Sequence, residues 1–302
     1  MTAAVQSWTV THTLIPEDVV PGKRLGRHVR HDSRNLLYAH QRQSRKLTSQ
    51  LWPRNTPILN QGDVGSCTGN EETGALGTGP IWDALPAAFK SAAALNEAMA
   101  LRIYSAAETI DGDGPYPPND NGSSGPSAAQ AARNMGLISG YTHALSLDDV
   151  LDMLEDGPVG IGSNWYTSMD NPNTSGLVTI SKGATVRGGH EYLCRGKDVS
   201  AQVLHLDNSW GTSWGIKGSF SYSYATLERL LGEQGDGTQS IPLSSPAPTP
   251  THTPPAPTPS PSDPDQVLYQ ATSQWMTSKH TGANAATAED LVAWARAKGY
   301  IS

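Results

Sequence analysis

The 302 residues carry 37% apolar and 16% charged side chains, 30 glycines, 22 prolines and a formal net charge of −7. That profile excludes a coiled coil or a long helical bundle, and no run approaches the ~20 apolar residues that a membrane-spanning helix needs. Two cysteines, Cys67 and Cys194, are too few for a disulfide framework and point to a reducing compartment or to thiol chemistry.

The charge is unevenly spread: residues 1–60 hold nine Lys or Arg against three acids, +6, which leaves −13 for the rest. Residues 1–54 read as a basic amino-terminal arm, solvated and loosely packed. It lacks the aromatic interleaving of single-stranded nucleic-acid binders, so no nucleic-acid partner is expected. His28, His31 and His40 have no cysteine or acidic cluster at ligand spacing, and no metal or other cofactor is expected. Neither an apolar signal core nor a small-residue cleavage site opens the chain. The expectation is a cytoplasmic protein, or a phage product acting in the host cell or virion.

Residues 55–241 form the main domain. Helical spacing begins after Cys67 and recurs over Ser91–Thr109 and Ala128–Met135, the last closed by Gly136. Strand-like runs follow at Pro158–Gly162, Leu177–Ile180, His190–Cys194, Val203–Leu206 and Ser219–Tyr222. Helices first and strands afterwards predict an α+β fold of two lobes with a cleft between them. Residues 242–264 contain ten prolines in 23 positions, a polyproline-like spacer. Residues 265–302 read as a small helical hairpin, too short to bury a secure core and therefore a candidate docking element for a protein partner.

Cys67 lies in Asn60-Gln-Gly-Asp-Val-Gly-Ser-Cys-Thr-Gly-Asn70, a turn-rich stretch that hands over to a helix. A helix amino terminus favours thiolate and lowers a thiol's pKa. A thiol nucleophile also needs an imidazole to exchange its proton and a third group to orient that imidazole. His190, opening a strand after Arg187-Gly-Gly, and Asn208, opening Asn208-Ser-Trp-Gly-Thr-Ser-Trp-Gly, can supply both.

Three blocks together resemble the papain-like cysteine peptidases: Gln61-Gly-Asp-Val-Gly-Ser-Cys67, Gly189-His190, and Asn208-Ser-Trp-Gly211 continuing to Trp214-Gly215 and Gly218. The likeness spans about residues 55 to 225 and implies a helical lobe and an antiparallel β lobe. It implies Cys67 as nucleophile, His190 as base and acid, Asn208 as orienting group, Trp210 as their cover, and Gln61 with the Cys67 N–H as oxyanion hole. By the same resemblance, Gly122, Ser123 and Ser124, with Gly189, line the substrate cleft, and the partner is a peptide or protein substrate. The chain departs from the common pattern at Thr68 after the nucleophile, at Val64 where a disulfide cysteine is usual, and at Gly189 before the histidine. About 55 residues precede the match, fewer than the long helical pro-segment of eukaryotic members, as in bacterial or phage-type relatives. Any self-inhibition would fall to the basic arm or to the carboxy-terminal hairpin.

Two other readings use the same residues: a cell-wall peptide hydrolase or acyl transferase with this thiol, and a structural or binding protein, for example in a phage particle, without turnover. The 123 residues between Cys67 and His190 and the Asn-Ser-Trp-Gly block favour the peptidase, and four intact reacting positions argue against a silent protein. Cys194 is read as a small buried apolar residue. Glu191 and Asp207, neighbours of His190 and Asn208, are expected to point away from the cleft by strand alternation.

Overall fold

A computed structural model describes residues 13–29 and 38–246. His31, the proline-rich segment beyond residue 246 and the helical pair expected in 265–302 lie outside the described residues.

The helical lobe is built from α1 (Cys67–Leu76), α2 (Gly79–Ala84), α3 (Glu97–Asp111) and α4 (Gly125–Asn134). α3 starts where the Asn96 side chain accepts the Met99 N–H, and it stops at Gly112 with φ +95°. The helical pattern that begins at Ser91 therefore becomes helix only after Asn96. Pro126 stands in the first turn of α4, where its missing N–H costs nothing. α1 has no apolar stripe because all ten of its residues are buried among α3, α4 and the sheet. At Gly69 a Cβ would overlap the Ala100 carbonyl, so glycine there lets α1 and α3 touch.

The second lobe is an antiparallel sheet in the order β4 (Gly140–Ala144), β9 (Asp236–Ile241), β5 (Val159–Tyr166), β6 (Val186–Asp198), β7 (Val203–Asp207), β8 (Ser219–Ser223), with β3 (Gln50–Leu51) also pairing with β6. Helices α5 (Leu147–Met153) and α6 (Tyr224–Gly232) are capped by the side chains of Ser146 and Ser223. One apolar core lies inside the helical lobe, with Leu76, Met99, Ile103 and Ala128. The other lies on the sheet, with Ile161, Trp165, Tyr192 and Phe220. The architecture is thus α+β and two-lobed, and no helix among the described residues is long and apolar enough to cross a membrane.

Two expectations are corrected. Leu177–Ile180 is not a strand and contributes a single bridge from Leu177 to Ser221. The Asn173 side chain accepts the Ser175 and Leu177 N–H groups and folds the preceding residues into a turn. Nor are the described stretches of the arm loosely packed. Leu25, Arg27, His28 and Val29 are buried, and β2 (His28–Val29) pairs with β1 (Thr13–Leu14). Farther on, Arg42 meets Asp148 and Asp149, and Arg45 meets Asp152 and Asp156. These two cations of the arm are matched by acids more than a hundred residues away in sequence.

Candidate active site

The chain reaches Cys67 through a tight turn in which the Val64 N–H donates to the Gln61 carbonyl and Gly62 takes φ +59°. Cys67 is the first residue of α1 and fully buried, and α1 packs against β6. His190 stands one residue earlier on that strand, with Nε2 2.8 Å from Asn208 Oδ1. Asn208 follows the end of β7, and the same Oδ1 accepts the Ser209 N–H at 2.7 Å. An oxygen already accepting an amide proton fixes the side-chain orientation of Asn208, so His190 Nε2 is the donor. The proton on Nε2 leaves Nδ1 as the basic nitrogen. Buried Nδ1 has no hydrogen-bond partner among the described residues.

Burial pushes His190 down to about 3, opposed by its bond to Asn208 and aided by the nearby Arg187 cation. Burial, with the Glu191 carboxyl as the next cause, pushes the Cys67 thiol well up. Both groups are therefore neutral in this state. This overturns the expectation of a lowered thiol pKa: loss of water outweighs the helix amino terminus. The imidazole is held by two rings. Trp210 stacks on it with centroids 5.0 Å apart and planes at 23°, and Trp165 meets it edge-on at 4.9 Å. Trp165 escaped the sequence reading, although it stands two residues beyond Ser163, the β5 partner of His190, and so on the same face.

Gln61 sits beside this pair. Its Oε1 accepts the Ser209 hydroxyl at 2.6 Å, and its Nε2 donates to the Val64 carbonyl at 2.8 Å and, at 3.5 Å, to the Leu25 carbonyl. The last contact shows what covers the cleft: the arm itself. Gly26 and Arg27 N–H both donate to the Gly189 carbonyl, at 3.1 and 3.0 Å. The Gly26 carbonyl accepts from Ser123 N–H at 2.8 Å, and His28 N–H donates to the Ser123 carbonyl at 2.7 Å. The Arg24 carbonyl accepts the Trp210 indole N–H at 3.0 Å. A Cβ on Gly26 would overlap the Gly65 carbonyl, so only glycine passes this close beside the turn that carries Cys67.

Of the residues expected to line the cleft, Ser123 and Gly189 bond the arm through their main chains. Gly122 passes so close that a Cβ would overlap the Gly26 carbonyl. Ser124 turns inward instead: it stands just before α4, with its N–H on Asp111 and its hydroxyl on the Ser127 hydroxyl. Asp207 does point away, held by Arg54 and Arg195. Glu191 leaves the face of β6 that carries His190 yet meets Arg27 of the arm, a correction to its expected place away from the cleft. Cys194 is buried and unpaired, its thiol pushed up to about 12 by burial. Among the described residues no group of His, Cys, Asp or Glu is arranged to hold a metal ion; His40 instead bonds Asp152 at 2.7 Å.

The fold is that of the papain-like cysteine proteases. Xylellain, a cysteine protease from Xylella fastidiosa, superposes with a TM-score of 0.58 at 18% identity, over 74% of this chain and 97% of that one. The digestive procathepsin L 3 of Tenebrio molitor larval midgut superposes with a TM-score of 0.52 at 15% identity, over 73% of this chain and 76% of that one. No protein-family profile matches the chain, and no curated protein matches it in sequence.

Proposed function

We propose that this chain is a cysteine peptidase that hydrolyses peptide bonds through Cys67, His190 and Asn208, and that its amino-terminal arm holds it latent. The observation that carries the reading is the occupant of the cleft. A piece of polypeptide passes beside the turn that leads to Cys67 and bonds Gly189, the neighbour of His190, and Ser123 through main-chain groups that would serve any peptide regardless of sequence.

When the arm leaves, water returns and the desolvation that depresses His190 falls away. His190 Nδ1 then takes the Cys67 proton, and the helix amino terminus favours the thiolate. The sulfur attacks the scissile carbonyl, and the Gln61 amide with the Cys67 main-chain N–H receives the oxyanion, each such donor contributing ~3 kcal/mol. The imidazolium returns its proton to the departing amine, leaving a thioester; His190 then draws a proton from water, whose oxygen displaces the sulfur. Asn208 keeps Nδ1 turned toward the sulfur throughout, and the Trp210 ring keeps water off the Asn208 bond.

Intact-mass spectrometry after incubation with an epoxysuccinyl thiol reagent tests this on the full chain. Single labelling at Cys67, absent in Cys67→Ala and lost in His190→Ala, followed by cleavage of a peptide library, is the expected result. Equal slow labelling of Cys67 and Cys194 in folded protein would overturn it.

A further inference from the structure

Among the described cations of the arm, Arg27 is the one that is almost wholly buried. Its Nη2 donates to the Gln234 carbonyl at 2.9 Å and to Asp236 Oδ1, and its Nε lies 3.8 Å from Glu191 Oε2. Two glycines make the room. A Cβ on Gly162, the β5 partner of Glu191, would overlap Arg27 Nε, and one on Gly125 would overlap Glu191 Oε1. Glu191 Oε2 is buried, faces this space and has no hydrogen-bond donor among the described residues. Three groups therefore converge on a planar side chain with several N–H donors: β6 supplies Glu191, β9 supplies Asp236, and Gln234, two residues ahead of Asp236, supplies a carbonyl.

The backbone that carries Arg27 runs along the same main-chain groups of Gly189 and Ser123 that the peptidase reading gives to substrate. Main-chain bonds of this kind are indifferent to sequence, and the side-chain pocket between them supplies selectivity. We propose that the Glu191–Asp236 pocket is a specificity subsite that takes an arginine side chain of the peptide substrate, with Arg27 standing in for it while the arm is docked. This rests on the peptidase reading and extends it to a substrate class. Emptying the pocket leaves buried carboxyl groups without their cation, an arrangement that strongly favours re-occupation by a guanidinium over an apolar side chain. Arginine is preferred to lysine because a fork of N–H groups can serve Asp236, the Gln234 carbonyl and Glu191 together, whereas an ammonium is a point charge.

The test uses the wild-type full chain and three peptidyl epoxysuccinates that differ only at the side chain entering this pocket: arginine, its neutral isostere citrulline, and leucine. Rates of Cys67 labelling are read by intact mass. Opening of the arm is common to all three reagents, so it cancels from their ratio. The arginine reagent is expected to label about 100-fold faster than either of the others, as when a polar site rejects an analogue it cannot pair. Asp236→Asn should remove most of that ratio. Equal rates, or a faster leucine reagent, overturn the subsite while leaving the peptidase reading intact. If no reagent labels Cys67, the peptidase reading fails, and the subsite is judged by calorimetry on Arg27→Ala with arginine and citrulline peptides. Tighter binding of the arginine peptide then sustains the pocket, and equal binding removes it.

Discussion

The Trp210 indole lies flat on the His190 imidazole, 5.0 Å between centroids, while its own N–H is tied to the Arg24 carbonyl of the arm. One ring thus both shields the His190–Asn208 bond and anchors the segment that covers the site. Trp210→Phe should keep the stack and lose the anchor; Trp210→Ala should lose both. The expected outcome is faster Cys67 labelling in Trp210→Phe than in wild type. Trp210→Ala should lose activity, and its His190 should titrate nearer the ordinary imidazole range. Histidine NMR titration beside the labelling assay reads both effects.

Gly26 offers a way to lift the arm without touching a reacting group. Any side chain there overlaps the Gly65 carbonyl, and its φ of +136° already disfavours other residues. Strain of about 1–3 kcal/mol in the docked state should raise the open population about 5- to 160-fold. Gly26→Ala in the full chain should therefore be labelled at Cys67 faster by a factor in that range. Labelling at the wild-type rate would mean that the arm is not what limits access.

Gln61→Ala should lower kcat by about 100-fold with a smaller change in KM, because its amide would act on charge that develops only in the transition state. Its second duty complicates a simple truncation. Gln61 Oε1 accepts the Ser209 hydroxyl next to Asn208, so the variant also slackens the orienting residue. Adding Ser209→Ala to Gln61→Ala should therefore cost less than the two single losses combined, which a double-mutant cycle measures.

Buried carboxyls give stability a definite pH slope. Burial pushes Glu72 up to about 7 from its ordinary 4.5, against the Ser240 hydroxyl, which pulls it down. Glu71 and Glu191 shift in the same direction, burial again being the first cause. A folded-state pKa above the unfolded one means the folded chain holds the proton more tightly. The contribution is complete below about pH 4.5 and is lost as pH rises toward 7, by up to ~3 kcal/mol for Glu72. Urea unfolding from pH 4.5 to 8 should show wild type losing stability across this window. Glu72→Gln, which keeps a polar group beside Ser240, should lose less.

Much of this was legible in the sequence because it is local. The turn before Cys67, the strand carrying His190 and the Asn208 block each announce themselves within about ten residues. What failed was nonlocal. The basic arm reads as solvated because Asp148, Asp152 and Asp156, which fix it, are far along the chain. Strand β9 reads Asp-Gly-Thr-Gln-Ser-Ile, with little apolar content, and forms because β4 and β5 flank it on both edges. The thiol's ionisation was misjudged for the same reason: helix position is visible in the sequence, whereas the cover that excludes water is not.

Strand β6 makes three contacts on consecutive residues: the Gly189 carbonyl accepts the Gly26 and Arg27 N–H groups, His190 bonds Asn208, and Glu191 meets Arg27. Its pairing with β5 sets His190 opposite Ser163 and Glu191 opposite Gly162. A slip of one position would exchange the faces of the strand and carry His190 away from Asn208 and Glu191 away from Arg27. Insertions in this strand are therefore closed to variation. On the proposed reading, a change in substrate preference would come by substitution at Glu191, Asp236 or Gly162, positions that surround Arg27 without shifting the pairing of β5 with β6.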